Sequence, residues 1–326
     1  MEAFIYRLGF KGPTHFGETG IDLENVGEWV SSDTLFSALI NTMSNIYEGD
    51  IVTKFTDNFK KDPPFLLSSL FLYNKDTYFL PRPMCDDHIP AELKRTRGKE
   101  LKKIKWLSIN GFKQWITSTS LSVSDLSDME TSQKSYKDAF STEIRPRVSL
   151  DRTTQGSNIY HCGYVYFKKN AGLYGLVAFN DLSFVERFKE LLTMLGETGL
   201  GGERTYGCGM FEVIGYERVS EVFKEMLDSK IQRYTLLSLY HPACDEKENL
   251  NEKFIAYDVI RKRGWITTGR YALPLKRKSI GFMKEGSVSN CMIKGSLEDV
   301  TPDNPPVMLR HKIYRYGYAF TAPLGR

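Results

Sequence analysis

GLGGERTYGCG, residues 199–209, places five glycines within eleven positions, and no other stretch limits so tightly what the chain can fold into. Upstream, Val185, Phe188, Leu191, Leu192 and Leu195 recur at helical spacing behind Ser183 and Glu186, which read as a capping box, and Gly196 is placed to end the helix. Downstream, MFEVIGYERV reads as a strand. The chain must therefore pass from helix to strand through a backbone almost bare of side chains. Two nucleotide-binding patterns fail here. Gly202 and Gly207 have P-loop spacing, but Cys208 and Gly209 stand where a lysine and a hydroxyl residue are required. The dinucleotide fingerprint needs a strand before its glycines and a helix after them, the reverse of this order, and Arg204 occupies its last glycine position. Two readings remain: a left-handed helix cap with a bulge, or a backbone whose N–H groups, beside the Arg204 guanidinium, approach a phosphodiester chain. Five glycines exceed what a cap needs, which favours the second.

Charge distribution supports it. The formal net charge is +4, yet residues 1–50 hold eight acids against Arg7 and Lys11, a net of −6, so the remainder carries +10. Such asymmetry suits one face for a polyanion and another for a protein, although acidic loops also serve solubility. Three basic tracts stand out: KRTRGKELKKIK (94–105), RPRVSLDR (145–152) with Arg145, Arg147 and Arg152, and RKRGWITTGRYALPLKRK (261–278), which has no acid and includes Trp265 and Tyr271. One such run is usually a solvated face. Three together point to a single-stranded nucleic acid. In KIYRYGYAF, Tyr314, Tyr316, Tyr318 and Phe320 recur with period two, so a strand puts them on one face; core packing is the commoner outcome, base stacking the alternative.

The order of elements is strand (3–10), helix (from Ser31, Ser32 or Asp33), hairpin around Asn74–Asp76, a polar segment 84–145, a second hairpin around Lys168–Ala171, helix, glycine loop, strand. This fits an α+β domain over residues 1–218 with a split βαβ, ferredoxin-like core and an insertion at 84–145. Residues 219–326 read as a second, β-rich domain joined through SEVFKEMLDS. With 41% hydrophobic residues the chain builds its own core, so neither disulfide nor metal is required. The five cysteines are odd in number and widely separated, and FLLSSLFLY is too short to span a bilayer, so a reducing cytoplasm is expected. The five histidines form no metal spacing, no GxSxG elbow occurs, and no cofactor is implied. His15, in the glycine-bearing loop after the first strand, is the one candidate general acid–base for metal-independent RNA cleavage; lacking an evident partner, it reads better as a structural or binding residue.

Taken in order, PTHFGETG, SSDTLFSALINTM, RPRVSLDRTTQGSNIYH, GLGGERTYGCGMFEV and IYRYGYAF make the chain resemble, over nearly its whole length, the RAMP-superfamily subunit that caps the guide 5′ end in type III-A CRISPR (Csm) effector complexes. The resemblance implies two ferredoxin-like (RRM-like) domains, an inserted β-hairpin thumb for which 84–145 is the candidate source, and no nuclease activity of its own. It implies binding of the CRISPR RNA 5′ handle, with contacts to the large polymerase-domain subunit and the neighbouring backbone subunit. By position, the RNA-binding set is His15, Ser32, Arg145, Arg147, Arg152, Gly199, Gly201, Gly202, Arg204, Tyr206 and Gly207. The competing function is a metal-independent repeat-RNA endoribonuclease.

Overall fold

The computed structural model describes residues 1–17, 23–47, 49–151, 153–154, 156–227, 233–268, 271–304 and 311–325. The chain begins with β1 (Glu2–Phe10), the short paired strands β2 (Phe16–Gly17) and β3 (Val26–Gly27), and helices α1 (Ser32–Ile46) and α2 (Gly49–Lys61). Strands β4 (Phe65–Leu67), β5 (Phe71–Asn74) and β6 (Thr77–Pro81) follow, then α3 (Ala91–Lys103), β7 (Trp106–Ser108), α4 (Ile109–Thr117) and α5 (Val123–Lys137). The first half closes with β8 (Phe140–Leu150), β9 (Ser157–Phe167), β10 (Ala171–Phe179), α6 (Phe184–Thr198) and β11 (Phe211–Arg218).

An antiparallel sheet in the order β11-β1-β10-β5-β6-β7, with β4 also on β10, organises this half. The fold is α+β. Helix α1 forms where expected because Leu35, Phe36, Leu39 and Met43 make one buried stripe. The 84–145 segment is mostly helical, holding α3, α4 and α5, and the long two-stranded ribbon begins only at Phe140.

Three local expectations are corrected. No hairpin joins β9 to β10: β9 pairs along its length with β8, from Phe140↔Phe167 to Leu150↔Ser157, while β10 pairs with β1, β4 and β5. The reason is burial, since all nine residues of β10 are buried and its continuous apolar sequence belongs in a sheet centre covered on both faces. The Ser183–Glu186 capping box does not form; Ser183 already has helical φ/ψ, which turns its hydroxyl away from the first turn, and its N–H donates to the Asp181 carboxylate at 2.9 Å. Gly196 lies inside α6, where a Cβ would come within 2.3 Å of the Phe211 carbonyl oxygen, so it serves helix–strand crossing. The helix ends two residues later, with Gly199 at φ 86°.

The second half runs α7 (Glu221–Leu227), β12 (Arg233–Leu236), α8 (Leu250–Lys253), β13 (Phe254–Ala256), β14 (Val259–Lys262), β15 (Trp265–Thr268) and β16 (Tyr271–Lys276). It ends with β17 (Ile280–Met283), β18 (Val288–Ser289), β19 (Gly295–Asp299), β20 (Tyr314–Tyr318) and β21 (Thr321–Leu324). Its four-stranded sheet is ordered β13-β18-β12-β21, accompanied by the pairs β14-β17, β15-β16 and β19-β20.

The period-two aromatics of β20 and the residues just after it are core, not a base-stacking platform: Tyr314, Tyr316, Tyr318 and Phe320 are all buried. Tyr316 lies 5.1 Å from Phe36, and its hydroxyl accepts the Leu67 N–H at 2.7 Å; the Tyr318 hydroxyl donates to the Lys60 carbonyl at 3.0 Å. One aromatic face thus seals the second half against α1, α2 and β4. The opposite face of the same strand turns Arg315 toward the start of α1.

Candidate nucleic-acid interface

The glycine loop is laced to the segment after β1. The Gly209 N–H donates to Pro13 O at 2.8 Å, Gly202 N–H to His15 O at 2.8 Å, and Leu200 N–H to Gly209 O at 2.9 Å. Thr14 in turn exchanges backbone bonds with Val165 of β9, so residues 13–16 are clamped between loop and ribbon. This clamp explains Gly201: at φ 100° a Cβ would fall 2.6 Å from His15 O and 2.9 Å from the Phe16 ring. Four of the five glycine N–H groups are spent on carbonyls of the protein itself, those of Leu195, His15, Arg204 and Pro13, contrary to the expectation that they face outward. The N–H groups of Gly201, Glu203, Arg204 and Thr205 have no partner among the described residues, and the last three open the short 3-10 turn that follows.

His15 is buried, and its Nδ1–H donates to Gly163 O at 2.8 Å, with Cys162 Sγ 3.6 Å away. The imidazole edge carrying Cδ2 and Nε2 faces Gly202 and the cavity described below. On the ribbon, Arg147 spans to the loop: Nη1 meets Glu203 at 2.9 Å and the guanidinium sits 4.0 Å over the Tyr206 ring and 5.5 Å over Tyr164. Arg145 lies over Tyr164 and Tyr166 and holds both oxygens of Glu143 at 2.9 Å. Burial pushes the Cys208 thiol up, which keeps it protonated beneath this layer.

The ribbon has two characters. By register, Glu143, Arg145 and Arg147 share a face with Tyr160, Cys162 and Tyr164, whereas Ile144, Val148, Leu150 and Ile159 lie on the other and are exposed.

Across from the loop lies a cavity of about 540 Å³, bounded on one side by Gly199, Gly201, Gly202 and Arg204, on another by the start of α1, and closed by the second half of the chain. Its floor is ionic. Asp33, wholly buried, pairs with Arg315 and accepts the Tyr316 N–H at 3.1 Å; Arg315 also donates to Arg263 O at 2.8 Å. The Lys262 ammonium bonds to the Ser31 and Thr34 hydroxyls, and Ser69 donates to the buried Glu285 carboxylate. Burial draws the Lys262 and Arg277 pKa values down and pushes that of Glu285 up, the last favouring its neutral form. Nε of Arg277, Nε of Arg315 and Oε2 of Glu285 are buried without hydrogen-bond partners among the described residues. Lys262, Arg277 and Arg315 thus share a desolvated floor with the carboxyl groups of Asp33 and Glu285.

The sequence-derived candidates are partly assembled. His15, Gly199, Gly201, Gly202 and Arg204 line the cavity, and Arg145, Arg147 and Tyr206 form a contiguous layer on the ribbon side of the loop. Gly207, at φ 81°, faces open space. Ser32 is fully buried below the cavity, its N–H on Ser69 Oγ and its Oγ accepting from Leu239 N–H. Arg152 lies outside the described residues. Sequence reasoning missed Lys262, Arg277 and Arg315 as individual site residues. The first two belong to the acid-free 261–278 tract; Arg315 was hidden by its aromatic neighbours, though a lone cation on the opposite face of an aromatic strand is itself a signal.

Among the described residues no group of three or more His, Cys, Asp and Glu side chains is placed to hold a metal ion, and no helix is long and apolar enough to cross a membrane.

A family model described as the RAMP superfamily matches residues 8–212, and one described as the CRISPR Csm4 C-terminal domain matches residues 229–324. The chain is 29% identical over 303 residues to the CRISPR system Cms protein Csm4 of Thermococcus onnurineus, covering 90% of each chain. It is 24% identical to that of Methanocaldococcus jannaschii, covering 99% of this chain and 97% of the relative. Among solved structures, it is similar to a chain of a Csm3-Csm4 subcomplex of the type III-A CRISPR-Cas interference complex, with TM-score 0.67, 19% identity and 99% of both chains covered. It is also similar to a chain of a Csm1-Csm4 cassette in complex with AMPPNP, with TM-score 0.63, 20% identity and coverage of 99% and 98%.

Proposed function

Because this chain belongs to the RAMP superfamily, and within it to the Csm4 subunits of type III-A CRISPR complexes, we propose that it is a non-catalytic subunit gripping the 5′ handle of the CRISPR RNA. Residues 1–218 and 219–326 act as two ferredoxin-like domains, the β8–β9 ribbon is the thumb, and the subunit bridges a large polymerase-domain subunit to a backbone subunit. The Csm1-Csm4 and Csm3-Csm4 assemblies of its structural neighbours support the bridging role.

One observation carries the RNA reading: the bare backbone of Gly199, Gly201 and Gly202, with Arg204 beside it, shares a single cavity with Lys262, Arg277 and Arg315. A phosphodiester chain can approach such a backbone to hydrogen-bonding distance of the Gly201 N–H while the cations neutralise it. Arg204→Ala is expected to weaken handle-RNA binding about tenfold and to lower the slope of log K against log salt by about 0.7, the share of one phosphate contact on a single strand. An unchanged slope in a fluorescence-anisotropy salt titration sinks the loop's part in binding.

Glu203 competes with RNA for Arg147, since its carboxylate already occupies that guanidinium. Glu203→Gln is therefore expected to tighten RNA binding several-fold, with the gain shrinking as salt rises; a weaker complex in the same titration contradicts this.

The endoribonuclease alternative places a general base at His15. Its Nδ1–H is committed to Gly163 O, and no carboxylate among the described residues bonds the ring. Purified chain incubated with repeat RNA in EDTA is expected to leave the RNA intact; a single-site cut abolished by His15→Ala overturns the non-catalytic reading.

A further inference from the structure

The first basic tract, 94–105, takes no part in the cavity. It folds as α3, which follows β6 in the chain and is tied to the end of that strand by the Arg82 guanidinium on Leu101 O at 3.0 Å. The neighbouring strand β7 is the sheet edge opposite β11, into which the glycine loop feeds. At ~4.8 Å per strand, those two edges are about 24 Å apart.

Three acids near α3 are already paired, and Glu92, exposed in its first turn, makes no ion pair with any described residue. Arg97, where the backbone leaves helical geometry, takes both oxygens of Glu130 at 3.1 Å and lies 3.8 Å from Glu100; Lys94 pairs with Asp86 at 3.1 Å. Arg95, Lys99, Lys102 and Lys103, with Lys105 just beyond, are exposed and have no acidic partner among the described residues. They lie away from the buried Leu93 and Leu101, Arg95 before the break in helical geometry at Arg97 and the lysines after it. Lysines in a last turn suit the helix dipole. That accounts for Lys102 and Lys103 but not for Arg95 and Lys99, which sit further back.

We propose that the outward face of α3 is a second polyanion-binding surface, which takes the phosphate backbone of a nucleic acid outside the glycine-loop cavity and reads no bases. The composition selects this ligand over a protein. No large hydrophobic side chain is exposed anywhere between Ile51 and Val123, whereas protein interfaces need apolar or aromatic anchors and are depleted in lysine. The same lack of exposed aromatics removes base stacking, and lysine ammoniums act as point charges without bidentate geometry. The phosphates belong either to a separate strand or to the continuation of the strand held in the cavity.

The test uses the full chain and the triple variant Arg95→Glu/Lys99→Glu/Lys102→Glu. In one arm the protein is saturated with an unlabelled RNA of about 20 nucleotides, and a labelled mixed-sequence RNA of the same length is titrated in low salt; in the other a single RNA of about twice that length replaces both. Binding of the second RNA in the first arm identifies a separate strand; tighter binding of the long RNA alone identifies a continuation. In either case the triple variant is expected to lose the extra affinity at least about tenfold and about 2 units of salt slope, while the first RNA binds as before and a DNA probe behaves like RNA. The charge-keeping variant Lys99→Arg/Lys102→Arg/Lys103→Arg should retain it. The proposal is overturned if the triple variant leaves both arms unchanged, or if it releases a co-purifying protein subunit while keeping the extra RNA affinity.

Discussion

Asp33→Ala is expected to cost about 3–5 kcal/mol of stability, the range for breaking a buried ion pair from one side, and to lower the melting temperature by roughly 10 °C. Asp33 does three things at once. Its carboxylate neutralises Arg315, accepts the Tyr316 N–H, and stands at the first turn of α1, where a negative charge meets the positive helix end. Without it, the Arg315 guanidinium keeps, among the described residues, only the Arg263 carbonyl, and it does so beside Lys262 and Arg277. Because Asp33 belongs to the first half of the chain and Arg315 to the second, the loss falls on the seam between them. The double variant Asp33→Ala/Arg315→Met removes the stranded charge and is expected to recover most of the stability, although not RNA binding. Urea unfolding of the four proteins of the cycle measures the coupling; a value near zero means that the pair does not join the halves.

Gly209→Ala is expected to destabilise the protein by about 3 kcal/mol or more, while Gly207→Ala costs about 1 kcal/mol, although both residues have positive φ. The difference is space. At Gly209, φ 78°, a Cβ would lie 2.0 Å from Leu200 O, and the strand entry cannot shift because Gly209 is bonded on one side to Leu200 and on the other to Pro13. At Gly207, φ 81°, nothing stands within 4 Å, so only the conformational strain remains. Thermal melts of the two variants side by side decide the matter. Equal losses would mean that the loop's glycines are needed for φ alone.

Helix α1 and the hairpin of β5 and β6 were legible in the residues because each rests on short-range pattern: an apolar stripe in one, a turn flanked by apolar runs in the other. The pairing of β9 was not. Its sequence and that of β10 are both apolar and adjacent, and only the demand for a fully covered central strand sends β10 into the sheet and leaves β9 to β8. Gly196 misled for a related reason, since a glycine needed for close helix–strand approach looks the same in sequence as one that ends a helix. In the candidate site, the bare loop with Arg204 followed from composition and order, and the placing of His15, Arg145, Arg147 and Tyr206 beside it followed from the family resemblance. The floor did not, because Arg315 and Asp33 are 282 residues apart and nothing local marks them as partners.

From the residues alone came the bare crossing between helix and strand, the excess of positive charge after residue 50, and the absence of the lysine that a triphosphate site requires. These are properties of neighbours in the chain, and chain order preserves them. Which cations face the glycines, which N–H groups remain unspent, and which aromatic face closes the two halves were decided by the tertiary structure. Those outcomes depend on long-range burial, which selects one pairing among several that local preference permits.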